Sequence, residues 1–166
     1  MKKCWILLAL TLFLTGCGAQ QTFETVSDVY DVHAMAQMQQ VELSLPKDAA
    51  AASMENPDAG KIYLCDGYTL TVQTMEAGDL SRTLRQLTGY AKDQLTVMET
   101  QRGGVTRYES VWTAAGEGGD QVGRAVILDD GSYHYAVTVM ADFSKAGELT
   151  PVWQDIFRSV KLVSTD

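Results

Sequence analysis

The sequence is poor in the residues from which reactive centres are usually built. It holds three cysteines and two histidines in 166 residues, which leaves little material for a zinc site. Lys and Arg are also scarce, thirteen against twenty-one Asp and Glu, and the formal net charge is −8. Phosphate contacts require a clustered surplus of basic residues, so this balance argues against nucleic-acid binding. The 46% hydrophobic and 20% charged composition is that of a single folded globular domain.

Several short motifs of common catalytic and metal-binding classes are missing as well. The sequence has no HExxH, no CxxC and no GxSxG pattern. The glycine-rich stretch 116–119 lacks the Lys-Ser/Thr of a phosphate-binding loop, and Asp129-Asp130-Gly131 lacks the closing Glu of an EF-hand. We therefore expect no cofactor, no metal and no catalytic residue.

The N-terminus contains a short apolar run rather than a membrane-spanning one. The eleven residues 4–14 (CWILLALTLFL) follow Lys2 and Lys3 and would span about half of a ~30 Å hydrocarbon core. These features are those of a secretory signal peptide. The next residues, Leu14-Thr15-Gly16-Cys17, resemble the bacterial lipobox, in which small residues precede a cysteine that becomes acylated. An ordinary signal peptide with an incidental cysteine is the alternative.

The lipobox resemblance implies a division of the chain and a location. Residues 1–16 would be a lipoprotein signal peptide, 17–36 the lipidated N-terminus and tether, and 37–166 a single globular domain. Diacylglyceryl on the Cys17 thiol would anchor the protein to the extracytoplasmic face of a cell membrane, since two acyl chains give stable attachment. Cys65 would then be the single remaining thiol, and the mature chain could form no intramolecular disulfide.

Three dipeptides predict β-hairpins. Asp66-Gly67, Gly103-Gly104 and Asp130-Gly131 each lie between β-rich runs and supply the positive φ angles of tight turns. A two-residue turn at 66–67 pairs Cys65 with Tyr68. Because both faces of this hairpin carry apolar groups, we expect the sheet to be covered on both sides here.

The third hairpin predicts where a helix packs. A two-residue turn at Asp130-Gly131 pairs Leu128 with Tyr133. The opposite face carries Ile127, His134, Ala125, Ala136 and Gly123. The small residues among them leave a shallow surface on which a helix can pack closely. We expect the C-terminal helix to pack on this face.

Two segments have helical periodicity. Asp79 and Gly89 are typical N-cap and C-cap residues of a short helix. An apolar stripe over 149–160 predicts a second helix, with Thr150-Pro151 at its N-terminus. With about seven strands in consecutive hairpins, the fold class is α+β: an antiparallel sheet with helices packed on it.

Two residues are candidates for catalysis. Cys65 has Tyr63 and Leu70 on its hairpin face, which favours a buried thiol over a nucleophile. A carboxylate beside His134 could orient its imidazole for acid–base chemistry. However, the nearby Asp129 and Asp130 are residue types expected in the turn itself, which favours a structural role for His134. An envelope enzyme of the hydrolase type, using Cys65 or His134, is therefore the alternative hypothesis.

Tyrosines and acids concentrate near the ends of the hairpins, as in an interaction surface. The residues of this candidate surface are Tyr68, Tyr133, His134, Tyr135, Asp129 and Asp130. They favour a non-catalytic binding or accessory module for an envelope protein or a small ligand.

The order hairpin, helix, two hairpins, helix and final strand resembles the PsbP/Mog-type α/β/α sandwich. The resemblance is carried by the strand YHYAVTVMA (133–141), the amphipathic helix and the ending Ser159-Val160-Lys161-Leu162. Val160 stands where many members have an aromatic residue, and Leu45-Pro46 replaces their aromatic-Pro-Trp strand end. Bacterial members include lipoproteins, and the resemblance implies binding of partner proteins. A cystatin- or NTF-like curved sheet is the alternative, although its helix normally comes first.

Overall fold

The computed structural model describes residues 23–28, 39–52, 60–116 and 118–164. The signal peptide and the lipobox cysteine Cys17 predicted from the sequence lie outside these residues. Within the described ranges, neither helix has the length and apolar character needed to cross a bilayer.

The described residues form ten strands and two helices. The strands are β1 Phe23–Asp28, β2 Gln39–Pro46, β3 Ala50–Ala51, β4 Lys61–Cys65, β5 Tyr68–Glu76, β6 Val97–Arg102, β7 Val105–Gly116, β8 Gly119–Asp129, β9 Tyr133–Asp142 and β10 Lys161–Ser164. The helices are α1 Leu80–Thr88 and α2 Ala146–Ser159. A seven-stranded antiparallel sheet has the order β3-β4-β5-β9-β8-β7-β6, and a smaller sheet has the order β1-β2-β10. The predicted α+β class with an antiparallel sheet is confirmed.

The seven-stranded sheet has a different core on each face. The larger core joins one face to α2 and to the small sheet, with Leu43, Val137, Trp153 and Ile156 among its buried residues. The smaller core joins the opposite face to α1 through residues that include Leu84. The molecule is therefore layered as helix, sheet, and then helix with a second sheet.

Helix α1 begins and ends where its capping residues predict. The Asp79 carboxylate accepts a hydrogen bond of 2.9 Å from the Ser81 amide at the N-terminus. At the other end Gly89 adopts φ 79°, a left-handed conformation that glycine reaches without a steric penalty.

The helix that covers Ile127 and Ala136 is α1, so the prediction that the C-terminal helix packs there is wrong. Leu80 and Leu84 of α1 contact these two residues, while α2 lies on the opposite face of the sheet. The small side chains indicate a face on which a helix can pack closely, but they do not indicate which helix packs there.

The predicted register of the β8–β9 hairpin is wrong by two residues. Leu128 pairs with Tyr135, not with Tyr133. The Asp130 carboxylate accepts hydrogen bonds from the amides of Ser132 and Tyr133, each at 2.8 Å. These side-chain bonds move the turn one residue toward the C-terminus. Because the shift is even, every side chain keeps its predicted face.

Two further local predictions need correction. Helix α2 begins at Ala146, and Thr150 donates to the Ala146 carbonyl from inside the first turns, so Thr150-Pro151 is not the N-terminus. At the first hairpin the Cys65–Tyr68 pair is confirmed. The second face of that hairpin is open, however, because Leu64 is 52% exposed.

Strand β1 pairs with β2 along its whole length, from Phe23 opposite Pro46 to Asp28 opposite Val41. It lies within residues 17–36, the range that the sequence assigns to the lipidated N-terminus and tether. The globular structure therefore extends back to Phe23.

Candidate binding groove

The β8–β9 hairpin brings five of the six predicted surface residues together, but it divides them between two faces. Tyr133 and Tyr135 lie on the α2 face, with ring centroids 6.1 Å apart. The buried Tyr135 donates a hydrogen bond of 3.0 Å to the Asp130 carboxylate. Burial, reinforced by the Asp130 charge, raises the pKa of Tyr135 well above its ordinary value. Tyr135 is thus a structural residue rather than an open contact.

His134 lies on the other face and is buried. Its Nδ1 shares a hydrogen bond of 2.7 Å with the Thr83 hydroxyl of α1, and its Nε2 lies 3.4 Å from the Asp129 carboxylate. Nδ1 is therefore hydrogen-bonded inside the protein, and Nε2 faces the Asp129 carboxylate. No three His, Cys, Asp or Glu side chains of the described residues are grouped so as to hold a metal ion.

Tyr68 lies at the opposite end of the sheet from the other five residues. It is buried and packs edge-on against Trp153, with centroids 6.1 Å apart. Its neighbour Cys65 is half-buried, and desolvation raises the pKa of the Cys65 thiol while the Asp48 charge adds to this effect. A nucleophilic cysteine needs the opposite shift. The six residues do not form one surface.

One serine motif deserves comparison with its usual setting. Ser44-Leu45-Pro46-Lys47 matches S-x-x-K, which in acyl-transferring enzymes supplies a serine nucleophile and a lysine. Here Ser44 belongs to β2 and Lys47 to the turn that follows Pro46. The Ser44 amide donates a hydrogen bond of 2.8 Å to the Ser159 hydroxyl oxygen, which joins β2 to the end of α2. The segment is therefore the end of strand β2, which this hydrogen bond fixes to the C-terminus of α2.

A groove of about 950 Å³ opens on the α2 face of the large sheet. Strands β6, β7 and β8 form its floor, and the C-terminal half of α2 with the start of β10 forms its wall. Its charged lining residues are Arg102, Arg107, Glu109, Arg124, Arg158 and Lys161. Its apolar lining residues are Val105, Leu128, Phe157, Val160 and Leu162.

The charge of this groove is opposite to that of the chain. Five of the thirteen Lys and Arg line it, against one of the twenty-one Asp and Glu. A concave surface on which one sign of charge predominates and whose walls are apolar focuses the electric field and attracts ligands of the opposite sign. The groove is an anion-attracting site on an acidic protein.

Arg107 connects the floor of the groove to its wall. Its Nε donates to the Glu109 carboxylate at 2.7 Å, and one terminal nitrogen donates to the Phe157 carbonyl at 2.8 Å. That carbonyl lies in the last turn of α2, where the helix dipole favours a cation. The guanidinium is therefore fixed before any ligand arrives.

The other cations differ in how firmly they are held. Arg124 lies over the Phe157 ring, 5.5 Å from its centroid, a cation–π contact. Lys161 contacts Glu42 across the β10–β2 pair at 2.5 Å. Arg158 contacts Asp155 at 2.8 Å but is 75% exposed, and such pairs contribute little. Arg102 is exposed and forms no ion pair with the described residues. Arg102 and Arg158 are thus the available charges at the rim.

A smaller apolar depression of about 190 Å³ continues the groove along β6 and β7. It shares Glu109, Arg124 and Phe157 with the groove. Its outer wall includes Met98 and Val111, which are 61% and 52% exposed. Exposed apolar side chains beside fixed cations are typical of an interaction surface.

The predictions from the sequence do not include this groove, because they place the candidate surface at the tyrosines and acidic loops. The available signal was Arg124, which stands between Gly123 and Ala125 in a strand whose neighbours are buried. A cation inside such a strand indicates that this part of the sheet is not covered by the core.

Sequence comparison finds no protein-family model and no curated protein that matches this chain. Comparison of structures does find matches. The solution structure of cyanobacterial PsbP from Synechocystis superposes with a TM-score of 0.61 at 11% identity, covering 90% of this chain and 99% of that one. The Saccharomyces cerevisiae Ran-binding protein Mog1p gives a TM-score of 0.52 at 15% identity, with 85% and 95% covered.

A third structure is LpqN of Mycobacterium tuberculosis, described as involved in cell envelope biogenesis. It gives a TM-score of 0.53 at 11% identity and covers 85% of this chain and 91% of that one. Identities this low establish shared architecture alone. The fold of this protein is the PsbP/Mog1-like fold.

Proposed function

We propose that this protein is a lipid-anchored, extracytoplasmic binding module without catalytic activity, and that it holds a partner protein in the cationic groove. The single observation that carries the proposal is the reversal of charge: an acidic chain places five cations and one acid around one concavity. Arg107 and Arg124 are held in place there by Phe157, so little side-chain entropy is lost when a ligand binds.

The candidates for chemistry support a binding role. The pKa of Cys65 is raised by burial, which keeps the thiol protonated at neutral pH. Both nitrogens of His134 contact protein atoms, so the imidazole offers no free position to a substrate. The alternative of a hydrolase-like envelope enzyme using either residue has no comparable support.

The similar structures support binding by analogy of fold. Mog1p is named a Ran-binding protein, and LpqN is described as involved in cell envelope biogenesis. A shared fold places no particular site on this chain, so the analogy adds to the argument from the groove without replacing it.

Location at the cell membrane rests on the lipobox resemblance of Leu14-Thr15-Gly16-Cys17. If Cys17 is acylated, five residues separate it from β1, which begins at Phe23. An extended chain spans at most about 3.6 Å per residue, so the tether would reach roughly 20 Å. The proposed partner would therefore lie close to the membrane.

The lipid anchor is tested by replacing its attachment residue. Cys17→Ala is expected to abolish incorporation of labelled fatty acid in a bacterial host. It should also move the protein from the detergent phase to the aqueous phase. Cys65→Ala is the matched control and should change neither property. A Cys17→Ala protein that still incorporates fatty acid would contradict the anchor.

Binding is tested in the same cells by site-specific photo-crosslinking. A photoreactive residue at Gln154, which lines the groove, should give a discrete protein adduct. One at Gln86, exposed on α1 across the sheet, should give none. The Gln154 adduct should disappear when Arg102 and Arg158 are both changed to Glu. Equal adducts from both positions, or none from Gln154, would contradict binding in the groove.

A further inference from the structure

We propose that the ligand of the groove is an acidic polypeptide segment in extended conformation, which pairs with the edge of β10 that no described strand occupies while its carboxylates meet the arginines. This inference rests on the proposed function and adds the chemistry of the partner.

The first argument is the open edge of a sheet beside the groove. Strand β10 pairs with β2 on one side, and no described strand pairs with it on the other. Its first residues, Lys161 and Leu162, line the groove. Unpaired amides and carbonyls along a strand edge are a template for adding a further strand. A segment added here would run along the groove.

The second argument is the alternation of charge and apolar surface within the groove. The apolar Leu128, Val105 and Phe157 lie among the arginines of the floor and wall. Successive side chains of a bound strand point to opposite faces, so a strand that alternates acidic and apolar residues presents all of its carboxylates on one face, toward the three arginines of the floor, and its apolar side chains on the other. Guanidinium groups favour carboxylates because they bind them with two parallel hydrogen bonds.

Other polyanions fit less well. The net charge of −8 repels nucleic acid and anionic bilayers outside the groove. A bilayer surface also cannot enter a concavity between a helix and a sheet. An isolated phosphate would use the arginines but not the edge of β10 or the apolar wall formed by Val160 and Leu162. An acidic strand uses all of these features.

The test measures fluorescence anisotropy of labelled peptides against the full chain in neutral detergent. The probe is an eight-residue peptide that alternates Glu and Val, and the neutral comparison replaces each Glu by Gln. We expect the Glu peptide to bind at least about tenfold more tightly than the Gln peptide, with affinity falling as salt rises. Equal binding of the two peptides would overturn the inference.

Charge reversal locates the site. Arg102→Glu with Arg158→Glu should weaken binding of the Glu peptide by about tenfold or more. Arg82→Glu with Lys92→Glu is the matched control, because both residues are exposed outside the groove and the change in net charge is identical. Thermal unfolding of the variants checks that each is folded. A control pair that weakens binding as much as the groove pair would overturn the inference.

Backbone methylation tests the added strand separately from charge. Two versions of the Glu peptide carry N-methyl groups on alternate residues, one set on the Glu residues and the other on the Val residues. In a strand, alternate amides point to opposite edges, so one version should lose binding and the other should retain it. Equal affinity of the two versions would overturn pairing with β10.

Competition distinguishes the other sources of negative charge. Phosphatidylglycerol vesicles, single-stranded DNA and inorganic phosphate should each displace the Glu peptide poorly, and strong displacement by any of them would overturn the inference. If the Gln154 crosslink forms in cells but the Glu peptide does not bind, this inference is contradicted and the proposed function is not. Loss of that crosslink would sink the proposed function itself.

Discussion

The two faces of the seven-stranded sheet are covered in different ways. On the α1 face a short helix meets small residues, and the buried His134 is bound from both sides by Thr83 and Asp129. On the α2 face a longer helix covers the middle of the sheet and leaves β6 and β7 open, with Arg124 and Arg107 beside Phe157. The first face is closed by close packing where α1 covers it, and it is open at the β4 end, where Leu64 is exposed. The second stays open at one side because its cations require solvent or a ligand.

This contrast assigns stability and binding to different faces. Substitutions on the α1 face should act on the free energy of unfolding and leave peptide binding unchanged. Rim substitutions in the groove should act on binding and leave stability nearly unchanged, because exposed ion pairs contribute little. The four predictions below test the closed face and the buried part of the open one.

The largest effect is expected at Gly123, where β8 meets Trp112 of β7. A methyl group at this position would overlap the Trp112 ring and lie 2.6 Å from the Met140 sulfur. Gly123→Ala should therefore destabilise the protein by about 3 kcal/mol or more. Chemical denaturation measures this change. Gly118→Ala is the control, since nothing lies within 4 Å of its added carbon, and a cost similar to that of Gly123→Ala would contradict the close packing of this face.

The next effect tests the polar contact across the same face. Thr83→Val removes the hydroxyl that bonds His134 Nδ1 at 2.7 Å and leaves a buried nitrogen without its partner. The expected loss is about 1–3 kcal/mol in the free energy of unfolding. Thr83→Ser keeps the hydroxyl and should recover most of it. If Val and Ser variants are equally stable, the contact is not what holds His134.

Local signals in the sequence predict the boundaries of elements well. Helix α1 is fixed by Asp79 and Gly89, which act within one turn of themselves, and both caps are confirmed. The first hairpin is likewise fixed by Asp66-Gly67 and the Cys65–Tyr68 pair. At Asp130 a carboxylate competes for backbone amides, and this competition, which the turn dipeptide does not encode, changes the register.

Features that depend on distant parts of the chain were not predictable in the same way. The groove exists because Arg107 meets the Phe157 carbonyl, fifty positions along the chain. No periodicity or turn signal relates β7 to the end of α2. The choice between α1 and α2 for the Ile127 face depends equally on the path of the chain between elements, which an apolar pattern does not specify.

A third prediction concerns pH and the α2 face. Burial raises the pKa of Tyr68 above its ordinary value of 10.0. Above pH 10 the unfolded chain releases this proton while the folded chain keeps it, so stability is complete below that pH and falls as pH rises. The slope for one such group is about 1.4 kcal/mol per pH unit. The free energy of unfolding of Tyr68→Phe should therefore fall less steeply with rising pH than that of the parent protein, by the contribution of one group. Denaturation between pH 8 and pH 11 measures this difference.

The Tyr68 hydroxyl is buried beside the Cys65 thiol, which is a weak hydrogen-bond partner at most. Tyr68→Phe should therefore cost little at pH 7, which separates its effect on titration from any effect on packing. A variant with the same alkaline slope as the parent protein would show that Tyr68 ionises freely in the folded state.

The smallest effect is expected at Thr138, which shares the closed face with His134. Its hydroxyl is buried and has no hydrogen-bond partner among the described residues, so the folded protein has already lost the hydration of that group. Thr138→Val replaces the hydroxyl by a methyl group of similar size and should leave stability unchanged or raise it by up to about 1 kcal/mol. The same substitution at Thr83 is predicted to destabilise. If Thr→Val lowers stability at position 83 but not at position 138, then a buried hydroxyl stabilises this face only when it has a hydrogen-bond partner. A loss of stability at both positions would contradict that distinction.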